Sequence, residues 1–208
     1  VINGARAVLD HYRPHIPIHP DWPMLEPGEV AEVIAGQSPP GESYNDTCTG
    51  IPFYQGKTEF GEMFIGDPTK WTTDPQRFAD EGDILISVRA PVGPVNIATQ
   101  RICIGRGLAA IRTSDKALMP YVFTLLRNKE KTIKGNGGAV FDSINRKDIE
   151  AIKIPLPPLT TQQAIVAEIE AEQALVAANR ELIARFDKKI QATLARVWGE
   201  DNPAPVEA

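Results

Sequence analysis

Cysteine is scarce in this chain of 208 residues: Cys48 and Cys103 are the only two, at a separation that matches no metal-ligand spacing. A disulfide framework or a zinc module is not expected, and both residues read as free packing thiols of a cytoplasmic protein. Histidine is equally rare. His11, His15 and His19 recur every four residues, a metal-binding spacing on a helix, but Pro14, Pro17 and Pro20 forbid that helix. No apolar run reaches the roughly 18 residues of a membrane span. The opening VINGARAVLDHYRPH lacks the apolar core of a signal peptide, and the start at Val1 suggests a fragment or a processed form. Missing as well are a Gly-x-x-x-x-Gly-Lys phosphate loop and a Gly-x-Ser-x-Gly nucleophile elbow. The Asn/Asp-Pro-Pro-aromatic motif that holds an extruded base is also absent, because Ser38 precedes Pro39-Pro40 and Leu156 precedes Pro157-Pro158. A catalytic centre is therefore not expected.

What is present begins with an uneven charge. The net charge is −5, which argues against a uniformly basic domain. Residues 84–153 nevertheless hold 12 basic and 5 acidic side chains, while residues 1–83 hold 5 and 14. A basic block within an acidic protein suits a local anion-binding face, since the field near a surface follows the nearby charge. The apolar share of 42% and charged share of 24% are those of a folded chain with a sizeable core.

Near the end, Pro155, Pro157 and Pro158 hold the backbone extended, and Thr160 with Gln163 matches a capping box. From Gln162 to Trp198 there is neither proline nor glycine. The spacing predicts one long helix of roughly 55 Å. Ile169, Val176, Ile183, Ile190 and Val197 recur every seven residues, the mark of a coiled-coil seam. The second seam position is poorer: Glu172, Asn179, Phe186 and Thr193. Asn179 either fixes register with a partner helix or marks a partly exposed seam.

The first dozen residues echo this helix. Aligning residues 1–12 with 175–186 pairs Ile2 with Val176, Arg6 with Arg180, Leu9 with Ile183 and Tyr12 with Phe186. A tandem repeat of a globular part and a long helix accounts for the match, with the chain starting inside the previous helix.

Between the helical ends lie short strands and turns. HYRPHIPIHPDWP (11–23) reads as an extended connector, and IPFYQG (51–56) as a strand. GDILISVRAPVGPVNIA (82–98) reads as a strand, a Pro/Gly turn and a returning strand, and RICIGRGLAAIRT (101–113) adds two more. MPYVFTLLRNKEKTI (119–133) is an amphipathic helix with Pro120 in its first turn. The expected fold is α+β: a globular domain built on a twisted, mainly antiparallel sheet over 24–158, a coiled-coil helix over 159–198 and a tail over 199–208. Residues 1–23 are the end of a preceding helix and a connector.

Recognition chemistry is what the residues offer. Tyr54 and Gln55 with Lys57 place an aromatic, an amide suited to adenine and a cation in one short stretch. Arg89 and Arg106 punctuate the strands beside Arg101 and Arg112, and Lys134 with Asn136 flank a glycine-rich loop that suits phosphate.

The motifs GEVAEVIAGQSP, PFYQGKTEF, GDILISVRAPVGPVNIA, CIGRGLAAI and GAVFDSINRKDIEAIKIPLPPLTTQQAIVAEIE follow one another over residues 28 to 198. In this order they resemble the DNA-specificity (S) subunits of type I restriction–modification systems. The resemblance implies a target recognition domain followed by a conserved helix, the C-terminal half of such a subunit. Two such helices pair as an antiparallel coiled coil that spaces two half-sites on double-stranded DNA and docks methyltransferase subunits. It implies no catalysis here: S-adenosylmethionine, ATP and Mg²⁺ belong to the methyltransferase and restriction/translocase partners. A single recognition domain reads a bipartite site only as a homodimer. A fused methyltransferase–specificity protein and a coiled-coil scaffold without DNA specificity remain the alternatives.

Overall fold

The structure, a computed structural model, describes residues 2–10, 12–133 and 143–198. Lys134 and Asn136 lie outside the described residues, as does His11. In chain order the elements are α1 (Ile2–Asp10), β1 (Met24–Leu25), α2 (Pro27–Val30), β2 (Ala31–Ala35), β3 (Tyr44–Asn45) and β4 (Ile51–Tyr54). Then come β5 (Trp71–Thr72), β6 (Phe78–Ala79), β7 (Ile84–Ser87), β8 (Val95–Ile97), β9 (Ile102–Ile104) and β10 (Leu108–Thr113). The chain ends with α3 (Met119–Lys129), α4 (Arg146–Glu150), β11 (Ile154–Pro155) and α5 (Leu159–Trp198). The fold is α+β with mainly antiparallel sheets and a long last helix. Two compact units divide it: His15–Val166, and Val1–Pro14 with Ala167–Ala208.

The larger unit holds two main sheets where one was expected. One runs β2-β10-β7-β8 and is antiparallel throughout; the other runs β3-β5-β4-β9-β6 and contains one parallel pair, β4 with β9. The antiparallel return of β8 on β7 is the hairpin that the Pro/Gly turn predicts. Strands here do not alternate. All of β7 and β9 are buried, because elements cover both faces. Tyr54, Leu85, Ile102, Ile104 and Leu108 share one cluster within this core. The connector joins this unit too: Ile16 is buried, and Met24 pairs with Pro155.

Charge is also folded inward. Arg112 donates to both oxygens of Asp83 (3.0 and 2.7 Å) and to Asp80 (2.6 Å), and Asp83 is 3% exposed. The Asp83 hydrogen bond, ahead of the burial that opposes it, raises the affinity of the Arg112 guanidinium for its proton. Arg101 lies 3.7 Å from Asp80 and over the Phe78 ring. These two arginines of the basic block are therefore bound to carboxylates of the acidic segment.

The helix α5 begins one residue before the expected cap, with the carbonyl of Pro158 accepting from Thr161 and Gln162. Gln162 is fully buried: its Oε1 accepts from Leu118 N (2.9 Å), and its Nε2 donates to the carbonyls of Lys116 (3.2 Å) and Pro157 (2.8 Å). Gln162 is thus a three-way tie at the start of the helix.

In the smaller unit α1 runs antiparallel to α5: Arg6 pairs with Asp187, Arg180 donates to the Leu9 carbonyl (2.8 Å), and Tyr12 donates to Glu172. Burial places the seam differently from the expectation. Ile169 is buried, and Gln173, Val176, Arg180, Ile183 and Asp187 are half-buried, at steps of four and three. Against α1 the second row is Gln173, Arg180 and Asp187, whereas Glu172, Phe186 and Thr193 are exposed. Asn179 is half-buried and donates to the Leu175 carbonyl of its own helix. Ile190 and Val197 were expected in the seam but are 41% and 69% exposed, because α1 has only 9 residues against the 40 of α5.

Candidate nucleic-acid interface

Backbone hydrogen bonds stitch five segments into one edge of the larger unit. After β2, Gly36 donates to Leu108 and Gln37 to Ile104, both at 3.0 Å. In the turn between β9 and β10, Gly105 donates to Tyr54 (2.8 Å) and Gly107 to Gln55 (3.1 Å). Past β7, Val88 donates to Gly107 and in turn accepts from Ile144, both at 3.0 Å, while Arg89 bridges Ser143. The stretches 36–38, 54–55, 88–89, 105–107 and 143–144 therefore share one rim.

The Gly105–Arg106–Gly107 turn explains its own glycines. A Cβ on Gly107 would stand 2.4 Å from the Gln55 carbonyl oxygen, and one on Gly105 would stand 3.0 Å from the Gln55 Cα. Gln55 lies directly on this turn, and no side chain fits between them. Its amide is held by Ser38: Gln55 Nε2 donates to Ser38 Oγ at 3.1 Å, and Ser38 Oγ stands 3.2 Å from Gln55 Oε1. Arg106 N also donates to Ser38 Oγ, at 3.3 Å.

The rim carries exposed cations. Lys57, Arg89 and Arg106 are all exposed, and the ion pairs formed among the described residues belong to other cations such as Arg101, Arg112 and Arg146. A phosphate approaching these three meets charge that no carboxylate of the described residues pairs. Gln55 is exposed beside them.

Tyr54 departs from its expected place at the surface. It is 1% exposed, its hydroxyl donates to the Gly66 carbonyl (2.8 Å), and its ring belongs to the core. Burial, then the charges of Glu59 and Asp67, push its hydroxyl up to about 12. It cannot stack on a base. The strand run that suggested a surface aromatic is covered on both sides at Phe53 and Tyr54. Ser38 is the rim residue that sequence reading passed over; its place just before Pro39-Pro40 was the available signal.

Nothing among the described residues forms a metal cluster of three or more His, Cys, Asp and Glu. His15 and His19 are exposed in non-helical chain. Cys103 is buried, and burial raises its thiol; Cys48 is exposed, at φ 59°, which corrects its reading as a packing thiol. No helix of the described residues is long and apolar enough to cross a membrane.

Comparison with known proteins places this rim in context. A family model described as the type I restriction modification DNA specificity domain matches residues 20–185. The putative type I restriction enzyme MjaX specificity subunit of Methanocaldococcus jannaschii is 44% identical over 183 residues, covering 84% of this chain and 42% of that protein. Among solved structures, the HsdS subunit from Thermoanaerobacter tengcongensis matches at TM-score 0.72 and 38% identity, covering 93% of this chain and 49% of that one. A chain from a structure of type I R-M complex assembly and conformational transition matches at TM-score 0.75 and 36% identity, over 92% of this chain and 50% of that one. The chain thus spans about half the length of the relatives it matches.

Proposed function

This chain belongs to the type I restriction modification DNA specificity domain family, and from that premise we propose that its larger unit reads one half of a bipartite site on double-stranded DNA. The observation that carries the reading is the rim. Five segments bring Gln55, Arg89 and Arg106 to one edge, Lys57 follows Gln55 by two residues, and the three cations stand outside the ion pairs of the described residues. The cations hold the phosphate backbone, and Gln55 reads a base edge, adenine being the base its amide matches. Lys134 and Asn136, outside the described residues, are proposed as further DNA contacts on the strength of their glycine-rich sequence.

The long helix docks other chains. Leu175, Leu182, Phe186 and Leu194 are 45–65% exposed along α5, which suits a methyltransferase subunit or a second copy of this chain. Methylation and cleavage, with their S-adenosylmethionine, ATP and Mg²⁺, fall to partner subunits. The restriction subunit joins through them. Support for a non-catalytic role comes from the sequence, which lacks a phosphate loop and a base-holding Pro-Pro-aromatic motif.

Selection from double-stranded DNA carrying a randomised stretch tests the reading. The full chain is expected to enrich a short common sequence, and Gln55→Ala to lose preference at one position by about 1–3 kcal/mol. Enrichment of no sequence would sink the recognition role and leave the scaffold alternative. With labelled S-adenosylmethionine, methylation is expected only after a methyltransferase subunit is added; methylation by the chain alone overturns the division of labour.

A further inference from the structure

The rim holds one contact that recognition by Gln55 does not account for. A single oxygen stands within hydrogen-bonding distance and direction of both heteroatoms of one amide only when it lies off the edge joining them, near the amide plane. Ser38 Oγ does so, 3.2 Å from Gln55 Oε1 and 3.1 Å from Nε2. That edge, one acceptor beside one donor, is the edge a bidentate contact to adenine needs. We infer that the Ser38 hydroxyl occupies the reading edge of Gln55 in the DNA-free chain and competes with the base for it.

The alternative role for Ser38, orienting the amide for the base, conflicts with its position. A group that orients a side chain without blocking it binds the flank and leaves the outer edge open. The backbone that carries Gln55 is already held, with its carbonyl accepting from Gly107 N (3.1 Å) and its Cα set against the bare Gly105, so the side chain leaves the turn from a fixed point. Ser38 itself is fixed from behind, accepting from Arg106 N at 3.3 Å. Its hydroxyl therefore satisfies the amide in place of a base. Any base read by Gln55 gains only the difference between its own two hydrogen bonds and those the hydroxyl gives up. The competition presupposes that Gln55 reads a base, as proposed above.

The same randomised double-stranded DNA separates the two roles by the sign of one effect. Ser38→Ala uncovers the edge, so preference at the position lost in Gln55→Ala is expected to rise about three- to tenfold, the net worth of a neutral hydrogen bond. Ser38→Thr keeps the hydroxyl and is expected to match the parent. Ser38→Gly gives the same comparison if the alanine variant melts early. Preference that is unchanged or reduced in Ser38→Ala, with Gln55→Ala still losing it, overturns the competition and leaves recognition by Gln55 standing. If Gln55→Ala loses preference nowhere, the reading of Gln55 falls and the competition falls with it.

Discussion

The body formed by His15–Val166 and the helix from Ala167 onward bury their apolar side chains to very different degrees. Among the described residues from Ala167 onward only Ile169 is a buried hydrophobic, whereas Leu175, Leu182, Phe186, Ile190, Leu194, Val197 and Trp198 there are all at least 41% exposed. The body largely completes itself: its strands β7 and β9 are buried along their whole length, and its Arg112 is matched by its own Asp80 and Asp83. The helix is patterned for a surface that the nine residues of α1 supply only in part. A sequence can therefore carry two kinds of instruction, one completed within the chain and one left open to another chain.

Five substitutions test that contrast. Ile84→Ala, at a site with no exposure, is expected to destabilise the body by about 2–5 kcal/mol in chemical denaturation. Leu194→Ala, 45% exposed, should stay within about 0.5 kcal/mol. Equal losses would erase the distinction. Phe186→Glu removes one of the exposed apolar anchors of α5 and adds a charge. Association measured by sedimentation should weaken by about tenfold to a hundredfold, the worth of burying one phenylalanine, with the body's stability unchanged. No change in mass would place the docking surface elsewhere.

Asp83→Ala strips Arg112 of the partner that takes two of its hydrogen bonds. A loss of about 1–3 kcal/mol is expected, because hydrogen bonds to charged groups are worth that much and Arg112 keeps 38% of its side-chain exposure to water. A neutral result in thermal melting would make the inward charge incidental. Arg106→Ala should leave the fold intact and reduce the salt dependence of DNA binding by about one unit of slope, weakening all sequences alike. A loss confined to one sequence would move Arg106 from the phosphates to a base.

Much of this architecture is readable from local pattern. The proline stop before α5, the hairpin at the Pro/Gly turn and the seven-residue repeat at Ile169, Val176 and Ile183 each rest on neighbours in sequence. Gln162, Ser38 and Tyr54 do not. Gln162 is defined by carbonyls and an amide from Lys116, Leu118 and Pro157, and Ser38 by Gln55 and Arg106. Tyr54 sits next to an exposed glutamine in the chain, yet the sheets close over it. The charge block misleads for the same reason: summing charge along the chain hides the pairing of Arg101 and Arg112 with carboxylates from the acidic segment.

The short pair β1–β11 has a further consequence. Met24 and Leu25, near the start of the body, are hydrogen-bonded neighbours of Pro155 and Ile154, near its end. Chain ends that lie side by side let a folded module be spliced into a host at one point. A recombination event with crossovers near these two strands would exchange everything between them, including the rim, in a single step. The new body would arrive with its own core complete and its junctions already in register. Such a layout permits inheritance by cassette: a new rim reaches an old helix without any gradual passage through half-rebuilt surfaces.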